Sequence, residues 1–158
     1  MKEVISASRR TDIPACYLDW MIDHVRKGHV DVKNPFYPAQ VSRVSLKKED
    51  VHSIVFWSKD FSKFLEQASE FSGYKSFFHF TVNDCKKLEP RIPSLNQRLL
   101  QAKKLVDEFG PHVMIWRFDP IVFWKEKDMV KDNLGSFDQI LECMAKLEIK
   151  KCFFSFSG

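Results

Sequence analysis

The chain has 158 residues, of which 44% are hydrophobic and 14% aromatic, and its formal net charge is +4. This composition excludes a disordered segment, and the length is enough to bury one core without disulfides or a structural metal. No apolar run approaches the roughly 20 residues needed to cross a bilayer, and residues 1–5 lack the features of a signal peptide. The sequence therefore predicts a cytoplasmic protein of one domain. Its mildly basic charge permits anionic ligands without demanding nucleic acid.

Five short strand-like runs alternate with amphipathic segments along the chain. Strands are predicted at residues 3–8, 53–57, 75–82, 112–118 and 151–156, and helices at 14–27, 62–71, 95–109 and 137–147. Asp12 is a predicted N-cap, Pro14 suits the first turn of a helix, and Gly28 suits its end. The alternation predicts an α/β fold with five predominantly parallel strands in a half or partial (β/α) barrel. Residues 40–46 are expected to form an accessory or edge strand, whose partner the pattern does not identify.

Side chains alternate between the two faces of a strand, so each predicted strand divides into two sets. One set is almost wholly apolar: Ile5, Ala7, Ile54, Phe56, Phe78, Phe80, Val82, Met114, Trp116, Phe118, Cys152, Phe154 and Phe156. The other set becomes polar toward the carboxyl end of each strand: Ser6, Ser8, Arg10, Val55, Trp57, Lys59, His79, Thr81, Ile115, Arg117, Asp119, Phe153, Ser155 and Ser157. We expect the apolar set to lie under the helices and the other set to line the concave side of a curved sheet.

Open α/β sheets and barrels bind their ligands at the carboxyl ends of the strands, so these polar ends predict a ligand site. The candidate residues are Ser8, Arg9, Arg10, Thr11, Asp12, Trp57, Lys59, His79, Thr81, Asn83, Arg117, Asp119 and Ser155. The alternative is that strand ends are wet and collect charge. Against it, an unpaired buried charge costs several kcal/mol, so Arg10, Arg117 and Asp119 on one face imply mutual pairing or a ligand.

The segment from Ser8 to Pro14 presents two guanidiniums, two hydroxyls and the first N–H groups of the next helix. Arginine forks and helix N-termini bind anions, which predicts a phosphate, carboxylate or sugar-phosphate ligand. The competing interpretation makes Asp12 a helix cap and the two arginines its ion-pair partners. An Arg117–Asp119 pair after the fourth predicted strand either orients a ligand or forms a structural bridge.

Three further candidates are less specific. His79 is a candidate ligand contact, but a histidine within a strand is also typical of a satisfied core residue. Thr81 and Asn83 belong to the segments 81–84 and 88–90, which offer acceptors for a metal or for ribose hydroxyls, whereas a plain turn is the simpler explanation. The chain contains no glycine-rich phosphate loop, His-Glu-x-x-His helix or Gly-x-Ser-x-Gly elbow. This argues against a nucleoside triphosphatase, a zincin and a serine hydrolase built on that elbow.

Several motifs together carry a family resemblance over nearly the whole chain. They are Ser8–Pro14, Asn34–Phe36, Val44–Leu46, Glu49–Val51, Ile54–Lys59, Phe80–Thr81, Leu88–Pro90 and Trp116–Ile121. Through them the chain resembles an uncharacterised bacterial family, domain of unknown function 1848. The resemblance implies much longer relatives, with a C-terminal cysteine cluster similar to the iron–sulfur ligands of radical S-adenosylmethionine enzymes. It also implies a barrel similar to that of spore photoproduct lyase.

This chain lacks such a cluster, because its cysteines are scattered without metal-ligand spacing at Cys16, Cys85, Cys143 and Cys152. We expect free thiols, no metal and no cofactor here, with an iron–sulfur cluster and S-adenosylmethionine only in full-length relatives. The leading hypothesis is the N-terminal part of a longer barrel protein, half of a radical-SAM-like enzyme that is inactive alone, either an excised piece or a shortened natural product. The alternative is a non-catalytic module that binds a small anion.

The fifth predicted strand raises a question of assembly. It is rich in phenylalanine at Phe153, Phe154 and Phe156, and it is expected to leave an open sheet edge. Open edges pair readily with other strands, so the sequence predicts a homodimer through this edge or partial instability.

Overall fold

The fold is given by a computed structural model that describes residues 2–37, 39–84 and 88–157. Its strands are β1 (Glu3–Ala7), β2 (His29–Lys33), β3 (Val41–Ser45), β4 (Val51–Ser58), β5 (Lys75–Thr81), β6 (Met114–Ile121), β7 (Phe123–Glu126), β8 (Met129–Asp132) and β9 (Cys152–Phe156). Its helices are α1 (Ile13–Cys16), α2 (Leu18–Lys27), α3 (Ser62–Glu66), α4 (Leu95–Phe109) and α5 (Phe137–Lys146). Five strands form one curled parallel sheet in the order β1-β4-β5-β6-β9. This half-barrel confirms the predicted α/β class.

The register of the sheet brings the carboxyl ends of its strands to one rim. Trp57 of β4 pairs with His79 of β5. Two residues after His79, Thr81 pairs with Arg117 of β6, and Arg117 pairs on its other side with Phe153 of β9. β1 runs parallel to β4, so the loop that follows it reaches the same rim.

Burial alternates along the central strands as predicted. On β4 the helix-facing Ile54 and Phe56 are fully buried, whereas Val55 and Trp57 remain partly exposed. The same alternation continues along β5 and β6. The helix-facing rings pack against rings of the helices, and Phe64 of α3 lies 4.8 Å from Phe56 between ring centres. The core therefore lies between the convex side of the sheet and the helices.

The helix predicted at residues 14–27 is in fact two helices, because the backbone breaks at Tyr17, whose φ is −135°. Asp12 caps α1 and Gly28 ends α2 with a φ of 77°, both as predicted. The helix predicted at 62–71 ends at Glu66 and continues as a 3-10 turn over Ala68–Phe71.

Two antiparallel hairpins, β2–β3 and β7–β8, interrupt the alternation of strands and helices. The strand expected at 40–46 is β3, and its partner is β2, which the sequence does not reveal. Most of the hairpin residues are exposed on both faces, so no buried stripe marks these strands in the sequence.

The prediction that the apolar set lies under helices is wrong for β9. Phe154 and Phe156 are 62% and 68% exposed, and Cys152 is exposed as well. The last described helix, α5, precedes β9 and packs its Phe137 against Trp116 of β6. Among the described residues, no helix packs on the outer face of β9.

The longest helix in the described ranges, α4, has 15 residues. Within those ranges, no helix combines the length and the apolar character that a membrane span requires. The cytoplasmic location stays a prediction.

Candidate functional site

A cavity of about 330 Å³ opens at the carboxyl ends of β1, β4, β5 and β6. It is lined by Ser8, Arg9, Arg10, Thr11, Asp12, Trp57, Ser58, Lys59, Thr81 and Arg117. All of these except Ser58 are candidates from the sequence. Side chains that lie at the ends of β4, β5 and β6 and in the loop after β1 therefore meet in one cavity.

The loop after β1 places two arginines at this cavity. Ser8 has a φ of 136°, which residues other than glycine rarely adopt, and its hydroxyl accepts a hydrogen bond of 3.1 Å from the Arg10 backbone N–H. The guanidinium carbon of Arg9 lies 5.2 Å from the ring centre of Trp57, within the range of a cation–π interaction. No carboxylate in the described ranges forms an ion pair with Arg9 or Arg10.

The carboxylate of Asp12 is engaged in holding the fold together. It accepts hydrogen bonds from the Ala15 N–H at 3.0 Å, from the Ser58 hydroxyl at 2.7 Å and from the Lys59 N–H at 3.3 Å. These contacts join the start of α1 to the end of β4. The predicted capping role of Asp12 is confirmed, whereas the alternative that the neighbouring arginines are its ion-pair partners is wrong.

The other two cations of the cavity have acidic partners. Lys59 forms an ion pair with Glu89, and Arg117 forms one with Asp119, which also accepts a hydrogen bond from the Ser155 hydroxyl of β9. Burial raises the pKa of Asp119, but the hydrogen bonds from Ser155 and Arg117 outweigh it, so this pKa lies below its ordinary value. Asp119 is therefore ionised at neutral pH and holds Arg117 in place. Asp119 and Ser155 stand behind Arg117 rather than in the cavity lining.

An aromatic row crosses the concave side of the sheet beneath these cations. Trp57 stacks on His79 with 3.8 Å between ring centres, and Phe153 lies 6.3 Å beyond His79. Burial, and then the charges of Arg117 and Arg9, lower the pKa of His79 to about 4. Its buried Nδ1 has no hydrogen-bond partner among the described residues. His79 is thus a neutral member of this aromatic row, outside the cavity lining, and it differs from the satisfied core histidine that the sequence also allows.

Asn83 lies apart from the cavity and is fully buried. Its side-chain amide donates to the Pro120 carbonyl at 3.4 Å, and its own backbone carbonyl accepts from Arg98 at 2.6 Å. These contacts connect the end of β5 with β6 and α4, so in this structure Asn83 serves packing.

Sequence reasoning missed Ser58 in this region, and it did not connect Glu89 with Lys59. By its position Ser58 belongs to the helix-facing set of β4, whose predicted members are apolar, so the alternation does not mark it as a site residue. In the structure it lies at the end of the strand and its hydroxyl donates to Asp12. Glu89 approaches Lys59 from the loop after β5. The two are 30 positions apart, and nothing in the linear pattern connects them.

Comparison with known families places the whole of this site inside one of them. A family model described as Domain of unknown function (DUF1848) matches residues 4–158. The chain belongs to the DUF1848 family. A search of the curated proteins found no match to the chain, and a search of the solved structures found none either. The DUF1848 match confirms the resemblance that the sequence motifs carry.

The iron–sulfur cluster implied by the resemblance can be tested against the described residues of this DUF1848 chain. Cys16 is exposed at the end of α1, Cys143 lies on α5 and Cys152 lies on β9, all as free thiols. Cys85 lies outside the described residues. In the described ranges, no group of three or more His, Cys, Asp or Glu side chains is placed to hold a metal ion. Cluster ligation needs converging thiolates, so the described residues do not fit a cluster.

Proposed function

We propose that this DUF1848 chain binds a small anion, a phosphate or a carboxylate, at the carboxyl ends of its strands, without catalysing a reaction itself. One observation carries the proposal: Arg9 and Arg10 both line the cavity, and neither has an ion-pair partner in the described ranges. A guanidinium presents parallel N–H groups that match two oxygens of a phosphate or carboxylate. Two such groups on adjacent residues suit a ligand with several charged oxygens, such as a sugar phosphate.

The surroundings of these arginines support binding because they hold the charges before a ligand arrives. The hydrogen bond at Ser8 shapes the loop, the Trp57 ring lies against Arg9, and the guanidinium carbon of Arg117 lies 5.3 Å from the centre of the same ring. Pre-organised groups lose less conformational entropy on binding, which improves affinity. The Thr11 hydroxyl lines the same cavity and adds a donor for a further ligand oxygen.

The proposal rests on the arginines rather than on the helix terminus expected from the sequence. α1 has only four residues, and the N–H of Ala15 already donates to Asp12. The macrodipole of so short a helix is small, and Asp12 already accepts a hydrogen bond from one of the N–H groups in its first turn. Side-chain charge is therefore the main source of attraction for an anion.

Isothermal titration calorimetry with inorganic phosphate at low ionic strength tests the proposal. We expect Arg9→Ala and Arg10→Ala each to weaken binding by at least about 10-fold, because a charge-assisted hydrogen bond contributes about 1.5–3 kcal/mol. Arg43→Ala is the matched control, since this exposed arginine is paired with Asp31 on the β2–β3 hairpin. A parent chain that does not bind phosphate or acetate, or an equal loss in Arg43→Ala, contradicts the proposal.

The interpretation as half of a radical-SAM-like enzyme is a second proposal, and it rests on the family resemblance. In this interpretation, further strands of a longer barrel would pair with the edges of β1 and β9 that have no strand partner in the described ranges. Iron–sulfur cluster and S-adenosylmethionine belong, in this interpretation, to full-length relatives. The described residues supply no converging group of ligands for the cluster.

A further inference from the structure

A groove of about 750 Å³ runs along the outer edge of β1. It touches every residue from Glu3 to Ser8. Consecutive side chains of a strand point to opposite faces, so a groove that touches all of them follows the strand's edge rather than either face. In the described ranges β1 pairs only with β4, and the backbone along this groove has no strand partner.

The far wall of the groove is apolar and partly open to solvent. Tyr17 and Trp20 at the start of α2 are 54% and 44% exposed, and Val32 of the β2–β3 hairpin is 49% exposed. Aromatic rings beside an unpaired strand edge are typical of a surface that another strand covers. A strand added here would hydrogen-bond to β1 and place its helix-facing side chains against these rings.

The chain itself carries a strand with the matching features. β9 is the opposite edge of the same sheet and pairs only with β6 in the described ranges. Its helix-facing Phe154 and Phe156 are largely exposed, and no helix of the described ranges lies over them. β1 and β9 each have five residues. One edge thus lacks a strand beside an apolar wall, and the other presents a strand with uncovered aromatic side chains.

We infer that β9 of a second copy of this chain occupies the groove, parallel to β1, and that the exchange is reciprocal. Each half-barrel supplies five strands, so two copies related by a two-fold axis along the barrel would close a continuous parallel sheet without free edges. Phe154 and Phe156 of each copy then lie against Tyr17 and Trp20 of the other. Phe153, which is 50% exposed on the concave side, becomes part of a shared interior.

Sedimentation velocity of the 158-residue chain over a range of concentrations tests this inference first. We expect a dimer, and we expect the double variant Phe154→Glu/Phe156→Glu to raise the dissociation constant at least about 100-fold, because two large apolar side chains lose their burial. Phe36→Glu is the matched control: Phe36 is 81% exposed and does not line the groove, so this variant should dimerise like the parent. A parent chain that stays monomeric at its highest soluble concentration overturns the inference.

Mixing two variants tests which edges meet. Val4→Lys places a charge in the groove at a residue that is 62% exposed, and Trp20→Lys does so from the far wall if the first variant does not fold. Either variant alone should be monomeric, with a far-ultraviolet circular dichroism spectrum like that of the parent. Mixed with Phe154→Glu/Phe156→Glu, it should form a weak heterodimer, since each partner retains one intact edge. A folded groove variant that dimerises as the parent does indicates contact between two β9 strands and overturns the inference, as does a mixture that stays monomeric.

Discussion

Replacement of Asp12 by alanine removes the carboxylate that joins α1 to the end of β4. Loss of the capping hydrogen bond that Asp12 accepts from the Ala15 N–H costs about 1 kcal/mol. Loss of the buried, charge-assisted bond from Ser58 would add about 1.5–3 kcal/mol, but the Asp60 carbonyl lies 2.8 Å from the same hydroxyl and can accept a hydrogen bond from it. That second acceptor offsets much of the Ser58 contribution. We therefore expect the free energy of unfolding to fall by about 2 kcal/mol.

Urea unfolding followed by tryptophan fluorescence measures this change. Asp12→Asn should lose less, about 1 kcal/mol, because asparagine caps a helix about as well as aspartate. The same variant should bind phosphate more tightly than the parent, since it removes a negative charge from the cavity. Asp128→Ala, at an exposed carboxylate in the turn between β7 and β8, is the control and should stay within about 0.5 kcal/mol of the parent. An Asp12→Ala variant as stable as this control would refute the joining role of Asp12.

Three further predictions concern His79, Ser8 and the cysteines. The pKa of His79 is lowered to about 4 from 6.5, so the unfolded chain binds a proton in this window that the folded chain does not, and the free energy of unfolding should fall as the pH drops from 6.5 toward 4. His79→Phe keeps the ring stack on Trp57 and should flatten this dependence on pH. Urea unfolding at pH 6.5, 5.5 and 4.5, in steps of about one pH unit, measures it. An unchanged slope counts against a buried neutral His79. Ser8→Gly should be more stable than Ser8→Ala by about 1 kcal/mol, because only glycine adopts a φ of 136° without strain; equal melting curves would show that Ser8 is relaxed. Anaerobic reconstitution with iron and sulfide should leave the chain without the charge-transfer absorbance of a cluster, and a stable absorbance would show that its cysteines converge after all.

The amino-acid sequence by itself determines the α/β class, the alternation of burial on β4, β5 and β6, and the ends of the first helical region at Asp12 and Gly28. These are local properties: the two-residue period of a strand and the capping preferences of a helix depend on neighbours along the chain. The same period identifies six of the residues that line the cavity, because parallel strands bring equivalent positions to one rim, and the motif after the first strand adds Arg9, Thr11 and Asp12.

The tertiary structure alone decides which charges remain available. Lys59 is paired because Glu89 folds back across 30 positions to reach it, whereas Arg10 has no ion-pair partner among the described residues. It also decides that the apolar side chains of β9 are exposed to solvent while those of β4 are buried. The pattern of a strand shows which side chains are apolar but not whether a helix covers them. Ion pairing and coverage depend on distances between segments far apart in the chain, and a local pattern carries no information about those distances.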